Sequence, residues 1–138
     1  MGRIKQSQIT YWCHEIIRSQ AEAGGCYIDA TMGKGNDTLF LCELAGENGK
    51  VLAFDIQQEA LDATRELLRT HGKEQQAELI LDGHEHMDRY AMEESTDVIC
   101  FNFGYLPGGD HKLATTYQTS IEAIGKGLGI LKHGGMMS

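Results

Sequence analysis

The sequence predicts a doubly wound α/β domain built on a mostly parallel sheet. Segments typical of strands alternate with segments typical of helices along the 138 residues. The segment 50–55 contains four apolar residues in succession, which is typical of a parallel strand covered on both faces. A chain of this length forms one domain, so we expect residues 1–138 to be a single unit.

The predicted elements follow one another in a regular order after an N-terminal helix. Four strands are predicted at 26–30, 50–55, 77–81 and 97–103. Helices are predicted at 37–44, 57–71 and 115–131, the last weakened by three glycines. Residues 82–96 are polar and acidic, and we predict a loop with a short helix there.

The N-terminal helix has one apolar stripe at helical spacing. It consists of Ile9, Trp12, Cys13, Ile16 and Ile17. We expect Trp12 to belong to the core rather than to stack on a nucleic-acid base. Tyr11 lies just off the stripe, and the pattern does not decide its role.

The C-terminal residues predict the beginning of a fifth strand. Gly134 and Gly135 are typical of a turn, and 136–138 would be the first residues of the strand that follows. We therefore expect the chain to lack the C-terminal strands of its fold and to be a fragment.

Composition excludes several classes of protein. The net charge is −8, and residues 43–97 alone contribute −9, which argues against a nonspecific nucleic-acid binder. An RNA would have to meet the mildly basic ends of the chain or a second subunit of a homodimer. The four cysteines form no C-x-x-C pair and predict reduced thiols in a cytoplasmic protein. Neither a membrane span nor a signal peptide is expected.

A glycine-bearing turn, 29–37, follows the first predicted strand. Gly33 and Gly35 allow a sharp turn and a close approach to a ligand, and the next helix offers free N–H groups. The turn is not G-x-G-x-x-G, because Thr38 occupies the third glycine position, and it is not a P-loop. The turn therefore predicts a cofactor site, and a plain strand-to-helix turn is the alternative.

Asp55 ends the second strand, 26 residues after Asp29. A carboxylate at this place can accept hydrogen bonds from both hydroxyls of a ribose. The alternative is an ordinary helix cap before Gln57. Together with the glycine turn, Asp55 predicts a single nucleoside site.

Histidines follow the third strand in the sequence His84-Glu85-His86. A zinc-protease H-E-x-x-H site fails because Asp88 stands in the fifth place, so we expect no metal. His84, beside Gly83, is predicted to contact the adenine edge of a nucleoside. A solvated loop histidine is the alternative.

A loop with the only proline, 102–110, follows the fourth strand. The side-chain carbonyl of Asn102 and the backbone carbonyls could hold the hydrogens of an amine, so that its lone pair points at an electrophile. The alternative is a tight turn around Pro107 in which Tyr105 covers the core.

With these residues in place, the sequence resembles class I S-adenosylmethionine-dependent methyltransferases, and more narrowly a small bacterial family of rRNA methylases. The resemblance covers nearly the whole chain. It rests on the segments 29–41, 54–57, 83–85 and 102–110, of which the last is the most specific.

The resemblance implies S-adenosylmethionine as cofactor and 5-aminomethyl-2-thiouridine at the wobble position of the tRNA anticodon as substrate. Gly33, Gly35, Asn36 and Asp37 would hold the methionine end of the cofactor, next to Asp29. Asp55 and Gln57 would hold the ribose, and Gly83 and His84 the adenine. Asn102 and Tyr105 would face the amine, and Asp110 or Tyr105 would relay its proton.

Two positions depart from the general pattern of class I enzymes. Thr31 stands where these enzymes place glycine, and Asn102-Phe103-Gly104-Tyr105 stands where amine-methylating members often carry Asn-Pro-Pro-Tyr. Three alternatives remain open: a methyltransferase for rRNA, a small molecule or a protein, an NAD-dependent oxidoreductase, and a nucleotide-binding module without catalysis.

Overall fold

A five-stranded, fully parallel sheet forms the centre of the domain, in the order β3-β2-β1-β4-β5. The structure is a computed structural model that describes residues 6–20, 24–101 and 110–137. The strands are β1 Cys26–Asp29, β2 Lys50–Asp55, β3 Ala77–Leu81, β4 Thr96–Cys100 and β5 Leu131–Met137. The order starts in the middle and runs outward in both directions, which confirms the predicted doubly wound α/β fold.

Four α-helices cover the sheet: α1 Gln6–Gln20, α2 Asn36–Ala45, α3 Gln58–Thr70 and α4 Asp110–Ile130. Two short 3-10 helices, Glu74–Gln76 and His84–Arg89, flank β3. None of the described helices is long and apolar enough to cross a membrane.

Successive strand residues point to opposite faces of the sheet, and each face has its own core. Tyr27 of β1 lies in the core on the face covered by α1, α2 and α3, together with Ile17, Leu41 and Leu68. Its neighbour Ile28 lies in the core on the other face, with Met87, Ile99, Ala123 and Ile130. Both faces of the central strands are therefore buried, which explains why the strand sequences are continuously apolar.

The expectation for α1 was only partly correct. Ile17 is buried, but 51% of the Trp12 surface and 53% of the Ile16 surface are exposed, as is 61% of the Tyr11 surface. The helix meets the domain through Ile17 and the half-buried Cys13 and His14. Trp12 is therefore not a core residue: the side of α1 that contacts the domain includes the polar His14, and Trp12 and Ile16 of the apolar stripe face outward.

The C-terminal part differs from the prediction in its turn. Helix α4 ends at Ile130, and β5 begins at once with Leu131 instead of after Gly134 and Gly135. Gly135 lies within β5, where a Cβ atom would be 3.0 Å from the backbone oxygen of Asp97. This glycine therefore serves close strand packing, and the irregular register between β4 and β5 lies in the same region.

Candidate cofactor site at the carboxyl ends of the strands

Three aspartates lie at one edge of the sheet. Asp29 is the last residue of β1, Asp55 is the last residue of β2, and Asp82 follows β3 directly. Because the strands are parallel and adjacent, their carboxyl ends meet there, which is where open α/β sheets bind ligands.

Asp29 is completely buried at the end of the central strand. Its Oδ2 accepts a hydrogen bond from Thr38 Oγ1 at 2.7 Å, and its Oδ1 accepts one from the Thr31 N–H at 3.1 Å. Burial raises the pKa of Asp29 from 3.8 to about 7, while the Thr38 hydroxyl opposes this rise. Asp29 thus links the glycine turn to the start of α2 through buried hydrogen bonds. Its contact with a ligand stays a prediction.

The glycine turn requires glycine at both predicted positions. Gly33 and Gly35 have φ angles of +50° and +94°, in the left-handed region. A Cβ atom on Gly35 would also lie 2.9 Å from Thr64 Oγ1 of α3. The same hydroxyl donates to the carbonyl oxygen of Gly33 at 3.2 Å. The turn therefore packs closely against Thr64 of α3.

Asp55 links the end of β2 to this turn. Its Oδ2 accepts the Gly33 N–H at 3.1 Å, and its Oδ1 accepts the Gln57 N–H at 3.0 Å. Gln57 itself occupies the N-cap position of α3, so Asp55 is more than a helix cap. The structure thus brings Asp55, Gln57 and Gly33 together, as one nucleoside site requires.

Ile56 is an apolar residue at this edge that the sequence analysis missed. It follows Asp55 and is 75% exposed. An exposed isoleucine next to a strand-end carboxylate offers an apolar surface to a planar group. Its position directly after a predicted strand could have indicated from the sequence that Ile56 lies near the ligand.

His84 connects the end of β3 to the end of β1. Its Nδ1 lies 3.1 Å from the carbonyl oxygen of Ala30 and must donate, because a carbonyl can only accept. Its ring centroid lies 5.8 Å from that of Phe101. Burial lowers the pKa of His84, which favours the neutral ring. His84 is therefore a held, half-buried side chain and not a solvated loop histidine.

Gly83 is buried beside His84 and precedes the 3-10 helix. A Cβ atom at this position would overlap the Glu85 carboxylate. Any larger residue at this position would require the Glu85 side chain to move.

Asp82 is the second residue that the sequence analysis missed. Its Oδ1 lies 2.7 Å from His86 Nδ1 and accepts the Gly83 N–H, and its Oδ2 accepts the Tyr90 hydroxyl at 2.8 Å. These hydrogen bonds, with His86 first, lower the pKa of Asp82 to about 2. Asp82 directly follows a predicted strand, and this position at a strand end could have predicted it from the sequence.

The start of α2 contributes Asn36, which is exposed, and Asp37, which is partly buried. Asp37 Oδ1 lies 2.6 Å from His14 Nε2 of α1. The sequence analysis did not single out His14, because the spacing of one histidine on a helix carries no signal for a partner 23 residues away.

The predicted catalytic residues are described only in part. Asn102 and Tyr105 lie outside the described residues, and Asp110 is the first residue of α4. Within 6–20, 24–101 and 110–137, no group of three or more His, Cys, Asp and Glu residues is arranged to hold a metal ion.

Residues 51–138 match the family described as "Putative rRNA methylase". The chain is 33% identical over 146 aligned positions to the chloroplastic tRNA (mnm(5)s(2)U34)-methyltransferase of Arabidopsis thaliana. That match covers 99% of this chain and 52% of the relative, so the chain spans about half of the relative's length.

Two solved structures are similar as well. An rRNA methylase structure from Clostridium thermocellum matches with a TM-score of 0.85 and 40% identity, over 99% of this chain and 72% of that one. A methyltransferase from Streptococcus mutans in complex with SAH matches with a TM-score of 0.75 and 37% identity, over 94% of this chain and 69% of that one. Sequence and fold agree, and the chain belongs to this rRNA methylase family of class I S-adenosylmethionine-dependent methyltransferases.

Proposed function

We propose that the chain is the cofactor-binding part of an RNA methyltransferase that methylates the amine of 5-aminomethyl-2-thiouridine at the tRNA wobble position. The observation that carries the proposal is the Asp55 bridge between the end of β2 and the glycine turn. The start of α2, which has no side-chain cap, and the half-buried His84 lie at the same edge of the sheet. S-adenosylmethionine is the cofactor of the family, and we place it at this edge.

The proposed cofactor lies across the carboxyl ends of β1, β2 and β3. The turn with Gly33, Gly35, Asn36 and Asp37 holds the methionine end. Asp55 and Gln57 bind the ribose. Gly83, His84 and Ile56 contact the adenine, since Ile56 offers an exposed apolar surface there. Asp29 supports this site by fixing the turn through its hydrogen bonds with Thr31 and Thr38.

The proposed reaction is a direct transfer of a methyl group. The amine nitrogen attacks the methyl carbon, a carbon–nitrogen bond forms as the carbon–sulfur bond breaks, and the thioether leaves. Alignment of nitrogen, carbon and sulfur is the main contribution of the protein. The amine must be neutral to attack, because a protonated nitrogen has no lone pair to donate. In the proposal, Asn102 and Tyr105 face the amine and hold it in place. Asp110 or Tyr105 accepts the proton that the methylated nitrogen releases.

The tRNA substrate is supported by the name of the Arabidopsis relative. The wobble base would have to leave the anticodon stack to reach the site, as in other enzymes that modify a base. A second candidate substrate is rRNA, favoured by the 28% identity over 100 residues to the ribosomal RNA small subunit methyltransferase H of Streptococcus equi.

The cofactor site is tested by Asp55→Ala, with calorimetry of S-adenosylmethionine binding. We expect about tenfold or more weakening, because a hydrogen bond to a charged group is worth about 1.5–3 kcal/mol. Asp62→Ala is the matched control, since it removes an equally charged, exposed side chain from α3. Equal affinity of wild type and Asp55→Ala would contradict the ribose assignment.

The substrate is tested by transfer of labelled methyl groups to three RNAs. These are tRNA that carries the 5-aminomethyl group, the same tRNA without it, and rRNA. We expect label only in the first, and Asn102→Ala should lower its rate without changing cofactor affinity. Label in rRNA alone would replace the tRNA proposal with the second candidate.

We further propose the cytoplasm as the compartment and a homodimer as the assembly. The four cysteines are free thiols, which is typical of a reducing compartment. In a homodimer, an RNA could contact the mildly basic ends of both subunits at once. Light scattering of the purified protein measures the assembly directly, and a monomeric mass would contradict the dimer.

A further inference from the structure

His14 of α1 makes two contacts with α2, and these are chemically distinct. Its ring stacks on Phe40 with a centroid distance of 3.9 Å and an interplanar angle of 2°. Its Nε2 lies 2.6 Å from Asp37 Oδ1. About a fifth of each of the two side-chain surfaces is exposed, so the contact is partly shielded from water.

Asp37 is well placed to meet a cation. It is in the first turn of α2, directly after the glycine turn. Its negative charge raises the pKa of Asp29, and so does that of Asp55, because the three carboxylates share one edge of the sheet. The methionine portion of S-adenosylmethionine brings an ammonium group and a sulfonium centre, and the carboxylates of Asp37 and Asp55 attract both.

A carboxylate can bind one cation with each of its oxygens. His14 engages Oδ1 of Asp37 and at the same time has its ring fixed by Phe40. The orientation of the carboxylate is thereby set by α1, an element outside the parallel sheet. Oδ2 is the oxygen that this arrangement offers to a ligand.

We propose that His14 is a positioning residue, which holds the Asp37 carboxylate in the orientation that binds the ammonium group of the cofactor. This inference rests on the proposed function, because it assumes that the cofactor binds with its methionine end at the glycine turn. It adds a residue and an element, α1, to the cofactor site.

The two contacts of His14 can be separated by two variants. His14→Phe keeps an aromatic ring against Phe40 and removes the hydrogen bond to Asp37. His14→Gln keeps a donor at the position of Nε2 and removes the stacked ring. A purely structural role predicts that the Gln variant is worse, whereas a positioning role predicts that the Phe variant is worse.

The test measures binding of SAH and of its deaminated analogue, which keeps the carboxylate and lacks the ammonium group. Wild type should prefer SAH by about tenfold, as expected for one charged hydrogen bond. His14→Phe should lose most of this preference and bind the analogue like wild type, and His14→Gln should keep the preference within about threefold. Thermal unfolding shows whether each variant is folded.

A double-mutant cycle gives an independent readout. Asp37→Asn should also lose the preference, and His14→Phe combined with Asp37→Asn should lose no more than Asp37→Asn alone, because both act on one contact. Additive losses would overturn the inference. So would a wild type without preference for SAH, or a His14→Phe variant that weakens both ligands equally. If wild type binds SAH at no concentration, the proposed function itself is wrong.

Discussion

Two aspartates at the same edge of the sheet have opposite properties. Asp29, at the end of β1, is fully buried, and its pKa is raised to about 7 mainly by that burial. Asp82, after β3, has 22% of its side-chain surface exposed, and its pKa is lowered to about 2 mainly by the His86 hydrogen bond. Each carboxylate accepts hydrogen bonds from a backbone N–H and from side chains.

The difference shows that hydrogen bonds alone do not decide the charge of a strand-end carboxylate. Two neutral donors do not compensate the complete removal of Asp29 from water. Hydrogen bonds with His86 and Tyr90 lower the pKa of Asp82 although most of its side-chain surface is covered. Buried Asp29 therefore supports the fold but is partly protonated near neutral pH, whereas Asp82 keeps its negative charge at every ordinary pH.

The largest expected effect is the pH dependence of stability caused by Asp29. Its folded pKa of about 7 exceeds the unfolded value of 3.8, so the folded state holds the extra proton between these values. The stability that this difference in pKa contributes is fully present below pH 3.8 and is lost as the pH rises through 7. Between pH 3.8 and about 7 we expect a loss on the order of 1 kcal/mol per pH unit relative to Asp29→Asn, about 3 kcal/mol in total.

Urea unfolding of wild type and Asp29→Asn at several pH values measures this loss. Asparagine keeps one acceptor for the Thr31 N–H and cannot ionise, so the difference between the two proteins isolates the one carboxyl group. A difference that does not change with pH would show that burial leaves the pKa of Asp29 near its usual value.

A smaller effect is expected for removal of the Asp29 side chain at pH 5. Asp29→Ala leaves the buried Thr38 hydroxyl and the Thr31 N–H without their acceptor. We expect the free energy of unfolding to fall by about 2 kcal/mol, the usual penalty for buried groups that lose their partner. Chemical denaturation measures it, and a loss as small as that of Asp82→Ala would remove the distinction between the two sites.

The smallest effect is expected for Asp82→Ala. Its partners His86 and Tyr90 are partly or largely exposed and can bond to water instead. The loss at pH 7 should be less than about 1 kcal/mol. Because the pKa of Asp82 is lowered, its contribution is present above pH 3.8 and disappears as the pH falls towards 2. A thermal unfolding series from pH 2 to pH 7 would contradict this if the difference grew towards the acid end.

The central part of the fold could be predicted from the sequence because its signals are local. The predicted strands at 50–55 and 77–81 match β2 and β3 residue for residue, since polar residues or glycine flank the mainly apolar segments. The predicted turn at Gly134 and Gly135 was wrong because glycine also serves close packing. Only the position of Leu131 and Asp97 in space distinguishes the two uses.

The site could be predicted where it depends on position along the strands. Asp29, Asp55 and His84 each follow from the rule that ligands meet strand ends, and the structure brings them to one edge. Contacts between distant segments could not be predicted in the same way. His14 pairs with Asp37 across 23 residues, and His84 bonds to the Ala30 carbonyl across 54 residues. No spacing rule relates these residues before the chain folds.

The close contact between α4 and β5 has a consequence for how this end of the domain acquires order. Gly125, Gly127 and Gly129 weaken the last turns of α4 by about 1 kcal/mol each relative to alanine. A Cβ atom on Gly127 would lie 2.7 Å from Met137 Cε and 3.2 Å from Ile99 Cδ1, so a larger residue would require these side chains to move. The end of α4 is therefore weak by its own propensity, and packing against β4 and β5 must supply the stability that the glycines remove.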